Sequence, residues 1–218
     1  MMYENREQAG RLLAARLMQH FGKDVLVIAL PRGGLPVGRE VADALEAPLD
    51  ILVAKKIGAP GNPEFAIGAV TARGNRVLND EAIIALGVGP HYIMDKTREQ
   101  GQAATRREAF LRANRPAERV AGRTVILVDD GVATGMTMRA ALLDLRDQKA
   151  ERVIIAVPVA APDTLRALRR LADEVVALAS PEPFHAIGQF YRDFSQVSDE
   201  EARTILVGTP KPGHAAAL

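Results

Sequence analysis

The 218-residue sequence has no cysteine and no tryptophan. Without cysteine there can be no disulfide framework, no thiolate nucleophile and no Cys-type zinc site, and the redox compartment stays open. Histidine is scarce. His20, His91, His185 and His214 stand far apart in the chain, so a His-built metal site is not expected. Neither sign of charge is in excess: Lys+Arg is 28 and Asp+Glu is 27, a net of +1. A nucleic-acid coat or a polybasic membrane protein needs a positive surplus, so both are disfavoured. Long apolar runs are missing. The longest, Val153 to Pro162, is too short for a bilayer and contains prolines. The first residues include Glu4, Arg6, Glu7 and Arg11 rather than the apolar block of a signal peptide, and a cytoplasmic protein is expected. Lysine is rare too. It supplies 6 of the 28 basic residues, which makes the position of each one informative.

What is present is the composition of a globular protein, with 48% hydrophobic and 25% charged residues. The length suits one large domain, or a core with a small appendage. Residues 4–21 read as an amphipathic helix with Leu12, Leu13, Leu17, Met18 and Phe21 on one face. The run 24–30 has the pattern of a strand buried on both faces. Pro31-Arg32-Gly33-Gly34 is a turn, and Pro36 suits the first turn of a helix reaching Leu45. A second strand is expected at 50–54, a Gly/Pro-rich loop at 55–63, and short strands at 66–72 and 76–78 around Arg73-Gly74-Asn75. Asn79 or Asp80 can cap a short helix. The stretch 91–114 is a long, charge-rich helix. Its basic residues alternate with acids, which reads as a solvated face rather than an RNA surface. The clearest buried strand is 124–128, followed by a helix to about 148, a strand at 152–157, a helix at 162–171 and a strand at 174–178. Phe184, Phe190, Tyr191 and Phe194 then cluster, and Asp199 opens a last short helix. Strand–helix alternation over most of the chain implies an α/β fold, a mainly parallel sheet with helices on both faces.

Ligands of open α/β sheets bind at the carboxyl ends of strands. Three loops there carry unusual chemistry: 31–34, 55–64 and 129–137. The third is the sharpest. Asp129 and Asp130 end a buried strand, and small or hydroxylated residues lead into a helix. Backbone N–H groups of Thr134, Gly135, Met136 and Thr137 at that helix start make a phosphate site, reinforced by the helix dipole. The aspartates cannot hold phosphate, but they suit sugar hydroxyls or a magnesium ion. A ribose 5-phosphate satisfies both halves. There is no Walker loop and no G-x-G-x-x-G.

Val125-Ile-Leu-Val-Asp-Asp-Gly-Val-Ala-Thr-Gly-Met-Thr137 resembles the phosphoribosyl pyrophosphate (PRPP) motif of type I phosphoribosyltransferases over its full length. The resemblance implies a core of about five parallel strands over residues 1–178, with a helical insertion around 79–120, and a C-terminal hood at 179–218. It implies that Asp129, Asp130, Ala133, Thr134, Gly135, Met136 and Thr137 hold ribose and phosphate, with Mg²⁺ reached by the two aspartates directly or through the ribose. It makes Arg32, Gly33 and Gly34 a pyrophosphate loop, a place where the family often has a non-proline cis peptide. Lys55 and Lys56, two of the six lysines, resemble the start of the family's flexible catalytic loop. Arg32, Lys55 and Lys56 would then be the catalytic cations. Pro181-Glu-Pro-Phe-His-Ala-Ile-Gly188 resembles the aromatic segment that stacks the base in purine enzymes, which nominates Phe184 and Ile187. The 6-oxopurine members carry an acid where Ala133 stands and read the base with a lysine. No lysine lies between Lys149 and Lys211, so a hypoxanthine or guanine acceptor is disfavoured. The expected activity is Mg-dependent transfer of ribose 5-phosphate from PRPP to a nitrogenous base, in a homodimer. A PRPP- or nucleotide-sensing binding protein on the same scaffold is the alternative, since fold alone does not decide activity.

Overall fold

In a computed structural model, residues 2–208 are described. Two sheets organise them. The larger is five-stranded in the order β2-β1-β6-β7-β8. Its strands are β1 (Val25–Ala29), β2 (Leu49–Ile51), β6 (Thr124–Val128), β7 (Arg152–Val159) and β8 (Glu174–Ala179). Every neighbouring pair is parallel. The burial pattern explains why these runs pair centrally. Val25, Val27 and Ala29 enter one core with Ile126, Val128, Ile154 and Ala156. Leu26 and Ile28 enter the opposite core with Val125, Leu127, Val153 and Ile155. Successive strand side chains alternate between faces, so strands apolar at every position need a helical layer on both sides. Each fully buried branched side chain contributes about 1.5–3 kcal/mol of transfer free energy.

The first layer holds α1 (Arg6–Ala15), α2 (Gly34–Leu45), part of α4 (Pro90–Arg112) and α7 (Asp199–Val207). The second holds α5 (Met136–Asp147) and α6 (Pro162–Leu168). The expected first helix is shorter than its apolar pattern. It stops at Ala15, and a 3₁₀ turn covers Met18–His20. α6 likewise ends at Leu168 rather than 171.

The smaller sheet overturns one expectation. Residues 55–63 are not an open loop. β3 (Ala54–Ala59) and β4 (Asn62–Thr71) form an antiparallel hairpin with its tip at Pro60-Gly61, and β5 (Arg76–Leu78) adds a third strand. The Gly and Pro residues that suggested a loop serve the hairpin tip and the irregular pairing near Gly58. Ile57, Ile67 and Val70 pack one face toward α3 (Asp80–Ala85) and α4, through Ala82, Tyr92 and Ile93. Ala69 and Val77 pack the other face on Met136 and Ala140 of α5. The stretch from 79 to 112 therefore forms the outer support of this small sheet. Asn79 caps α3, accepting from the Ala82 amide at 3.1 Å. Buried Asp144 of α5 accepts from the Thr71 hydroxyl and from Gln148 Nε2, tying the two sheets' supports together.

The strand order reverses direction between β1 and β6. That switch point is where an open α/β sheet leaves a crevice at its carboxyl edge. The loops after β1 and β6 both open onto it.

Candidate active site

The loop after β6 runs from Asp129 to Gly135 and ends in α5. Gly135 sits at φ +73°, and a Cβ there would lie 2.7 Å from Thr164 Cγ2, so glycine is required. The loop is pinned on its outer side: Val132 N–H donates to Val159 O at 2.9 Å, and Thr164 Oγ1 donates to Ala133 O at 2.5 Å. Among the described residues, the backbone N–H groups of Ala133, Thr134, Gly135, Met136 and Thr137 have no hydrogen-bond partner. Five unpaired amides at the start of a twelve-residue helix make a ready anion cradle. Thr134 is exposed and Thr137 is partly buried. The Met136 side chain packs on Ala69, Val77 and Ala140, so its backbone alone faces the site.

The loop after β1 lies alongside. The Pro31–Arg32 peptide is cis, as the resemblance implied. A Cβ on Gly33 would overlap the Asp130 carboxylate, so the two loops are in direct contact and only glycine fits. Gly34 N–H donates to Leu30 O at 3.0 Å and is taken. The amides of Arg32 and Gly33 have no partner among the described residues and stay available.

The paired aspartates are not equivalent. Asp130 is buried and accepts from Arg6 Nε at 2.8 Å. Arg6 also donates to Ser195 O at 2.8 Å, and its guanidinium lies 3.9 Å from the Phe194 ring centre. Tyr191 Oη donates to the Asp130 carbonyl at 2.6 Å. Burial raises the Tyr191 hydroxyl well above its ordinary pKa. Asp129 has no cation of this kind. Its Oδ1 accepts from the Asp130 amide at 2.8 Å. Burial, then the neighbouring Asp130 charge, pushes its carboxyl up. Asp130 is also pushed up by burial, with Arg6 pulling against it. Asp129 therefore has no ion-pair partner like that of Asp130, while Asp130 is a strut between α1, the 31–34 loop and the C-terminal segment.

The two lysines separate. Successive strand residues face opposite ways. Lys55 lines a cleft of about 310 Å³ together with Pro31, Arg32, Val53, Ala54, Arg107 and Asp199. Lys56 is exposed, pairs with Ala69 across the hairpin and does not line that cleft. On the other side of the crevice, Ile187 sits against the β6 loop, since a Cβ on Gly131 would lie 2.6 Å from its Cγ2. Phe184 is half-buried and packs on Phe190, with ring centres 5.1 Å apart.

Sequence reasoning missed Arg6, Arg107 and Asp199. Arg6 looked like one charge at the start of an amphipathic helix, and Arg107 like part of the solvated face of 91–114. Their partners lie 92 or more residues away, so no local pattern marks them.

Comparison with known proteins identifies the family. A model of the phosphoribosyl transferase domain matches residues 2–195. The chain belongs to the phosphoribosyl transferase domain family. A Mycobacterium tuberculosis protein provisionally named a phosphoribosyl transferase is 43% identical over 205 residues, covering 94% of this chain and 46% of its own length. The chain thus spans about half the length of the curated relatives it matches. The crystal structure of TT1426 from Thermus thermophilus superposes with a TM-score of 0.80 at 42% identity, covering 94% of this chain and 98% of that one. No helix among the described residues is long and apolar enough to cross a membrane.

Proposed function

We propose that the chain transfers ribose 5-phosphate from PRPP to a nitrogenous base, releasing pyrophosphate. One observation carries the reading. The unpaired amides at 133–137 and the Asp129 carboxyl follow β6, Arg32 follows β1 next to it, and the 31–34 loop lies directly against Asp129 and Asp130, while Arg32 shares a cleft with Lys55.

The 5-phosphate would sit on the amides of Ala133 to Thr137, with the α5 dipole favouring its charge. Asp129 would accept hydrogen bonds from the ribose hydroxyls through its carboxylate oxygens. The Arg32 and Gly33 amides, the Arg32 guanidinium and Lys55 would hold the pyrophosphate. As the bond at ribose C1 breaks, negative charge gathers on that leaving group. Fixed cations aimed there stabilise the transition state more than the ground state. The base would approach from the opposite side, against Phe184 and Ile187, with residues 180–195 acting as the hood. The rest of the expected 179–218 hood does not belong there, since α7 packs in the core and Asp199 lines the cleft with Arg32, and residues 209–218 lie outside the described residues.

The residues suit Mg²⁺ only in part. Among the described residues no three His, Cys, Asp or Glu side chains form a metal cage, and Asp130 is taken by Arg6. Asp129 is the carboxylate that can reach a cation carried by PRPP oxygens, and such a cation would neutralise charge on the departing pyrophosphate.

Calorimetric titration with PRPP and Mg²⁺ tests the assignment. Asp129→Asn should weaken binding about tenfold, the loss of a charge-assisted pair of hydrogen bonds. No binding by the wild type, or an unchanged affinity in the variant, overturns it. Pyrophosphate release should then be seen with one base among adenine, guanine, xanthine, uracil and orotate. Binding with silence across that panel would instead indicate a sensor.

A further inference from the structure

The charge-rich helix α4 has a residue in the cleft that the reading above leaves without a task. Ala104 and Leu111 bury one stripe of α4 in the cores. Arg112 Nη1 reaches Asp50 at 2.5 Å, and Thr105 Oγ1 donates to Ala72 O at 3.0 Å. These contacts fix the helix on β2 and on the end of the small sheet. Arg107, one turn from Ala104 and Leu111, is thereby held over the cleft beside Arg32 and Lys55.

Arg107 does not point at solvent. Its Nη1 and Nη2 grip the two oxygens of Asp199, each at 2.5 Å. Arg32 Nη1 donates to the same Oδ1 at 2.9 Å. Two guanidinium groups from distant elements thus converge on one carboxylate oxygen. Asp199 is the first residue of α7, with Ser198 as its cap. The bonds from Arg107, then Arg32, hold its carboxyl down to about 2, so it stays ionised at any physiological pH.

The charges in the cleft do not balance. Arg32, Lys55 and Arg107 bring three positive charges against the single negative charge of Asp199. Fork-shaped guanidinium donors suit the oxygens of a phosphoryl group as well as those of a carboxylate. A carboxylate held by two arginines has the donor arrangement that one phosphoryl group of pyrophosphate would meet.

We propose that Arg107 is a pyrophosphate-binding residue acting with Arg32, and that Asp199 occupies their clamp as an internal carboxylate which the ligand displaces. This rests on the phosphoribosyl transfer reading and deepens its pyrophosphate end. Pyrophosphate would exchange with Asp199 for the same donors. The first turn of α7 then yields, while Ala202 and Leu206 keep the rest of that helix in the core.

The test uses the full chain and two probes: inorganic pyrophosphate with Mg²⁺ and ribose 5-phosphate, each titrated by calorimetry. Asp199→Asn removes the competing charge and should tighten pyrophosphate about fivefold, while Arg107→Gln should weaken it at least about tenfold. Arg107→Lys keeps a charge without the fork and should fall between them. Ribose 5-phosphate affinity should stay within about twofold in all three, which also reports that each variant is folded. Weaker pyrophosphate binding in Asp199→Asn, or equal binding in the wild type and Arg107→Gln, overturns the clamp while leaving the transfer reading intact. A wild type that binds neither probe overturns the transfer reading itself.

Discussion

Replacing Arg6 with methionine should destabilise the protein and make that loss depend on pH. Both side chains of the Arg6–Asp130 pair are about 10% exposed, so solvent screens it little. Removing one partner of a buried pair leaves the other charge uncompensated, at a cost of about 3–5 kcal/mol. Methionine keeps much of the volume against Phe194 but loses the guanidinium contact to that ring and the bond to Ser195 O. A net loss of about 4 kcal/mol corresponds to about 8–16 °C in Tm for a chain of this size. The sign with pH follows from linkage. Burial already raises Asp130 above its ordinary value of 3.8 even with Arg6 present, and without Arg6 it must rise further. An acid whose pKa is higher folded than unfolded binds more protons in the folded state over that window. Stability therefore falls as pH rises from about 4 upward through the raised value. The gap between wild type and Arg6→Met should be smallest near pH 4 and widest above the raised Asp130 value. Adding Asp130→Asn to Arg6→Met removes the stranded charge and should recover part of the loss. Urea denaturation at several pH values reads all of this. A loss below about 1 kcal/mol, a gap that does not change with pH, or a double variant no better than the single would refute the account of Asp130 as a buried strut.

Other consequences are simpler. Lys55→Ala should lower turnover at least about tenfold with little change in ribose 5-phosphate affinity, whereas Lys56→Ala should stay within about threefold of wild type, because Lys55 alone lines the cleft; equal losses in the two single variants would contradict the strand geometry. Thr71→Val removes a donor from fully buried Asp144 and should cost about 1–3 kcal/mol in thermal or urea unfolding, loosening the small sheet from α5.

Much of the fold is legible in the residue pattern. Strands apolar at every position, such as Val125 to Val128, have nowhere to go except the centre of a parallel sheet. The hairpin at 54–71 is legible only in part. Its lysines, glycines and prolines read as a loop because no clean alternation marks strands that are exposed at their tip. Its pairing is stabilised by packing on α4 and α5, a tertiary effect that overrides local propensity.

The sequence by itself determined the helix start after Asp130 and the glycine turn after β1, because a positive φ, a helix start and a run of unpaired amides are local in the chain. It also determined that both loops leave buried strands. Only the tertiary structure decided how the charges are shared among them. Asp129 and Asp130 are adjacent and chemically identical, yet Arg6, 124 residues from Asp130, takes one and leaves the other. Lys55 and Lys56 are equally basic, yet the pleat of β3 sends one to the cleft. Arg107 is one arginine among many until Asp199, 92 residues on, meets it there. Local geometry follows from neighbours in the chain. Electrostatic roles follow from neighbours in space, and those exist only once the sheet has closed.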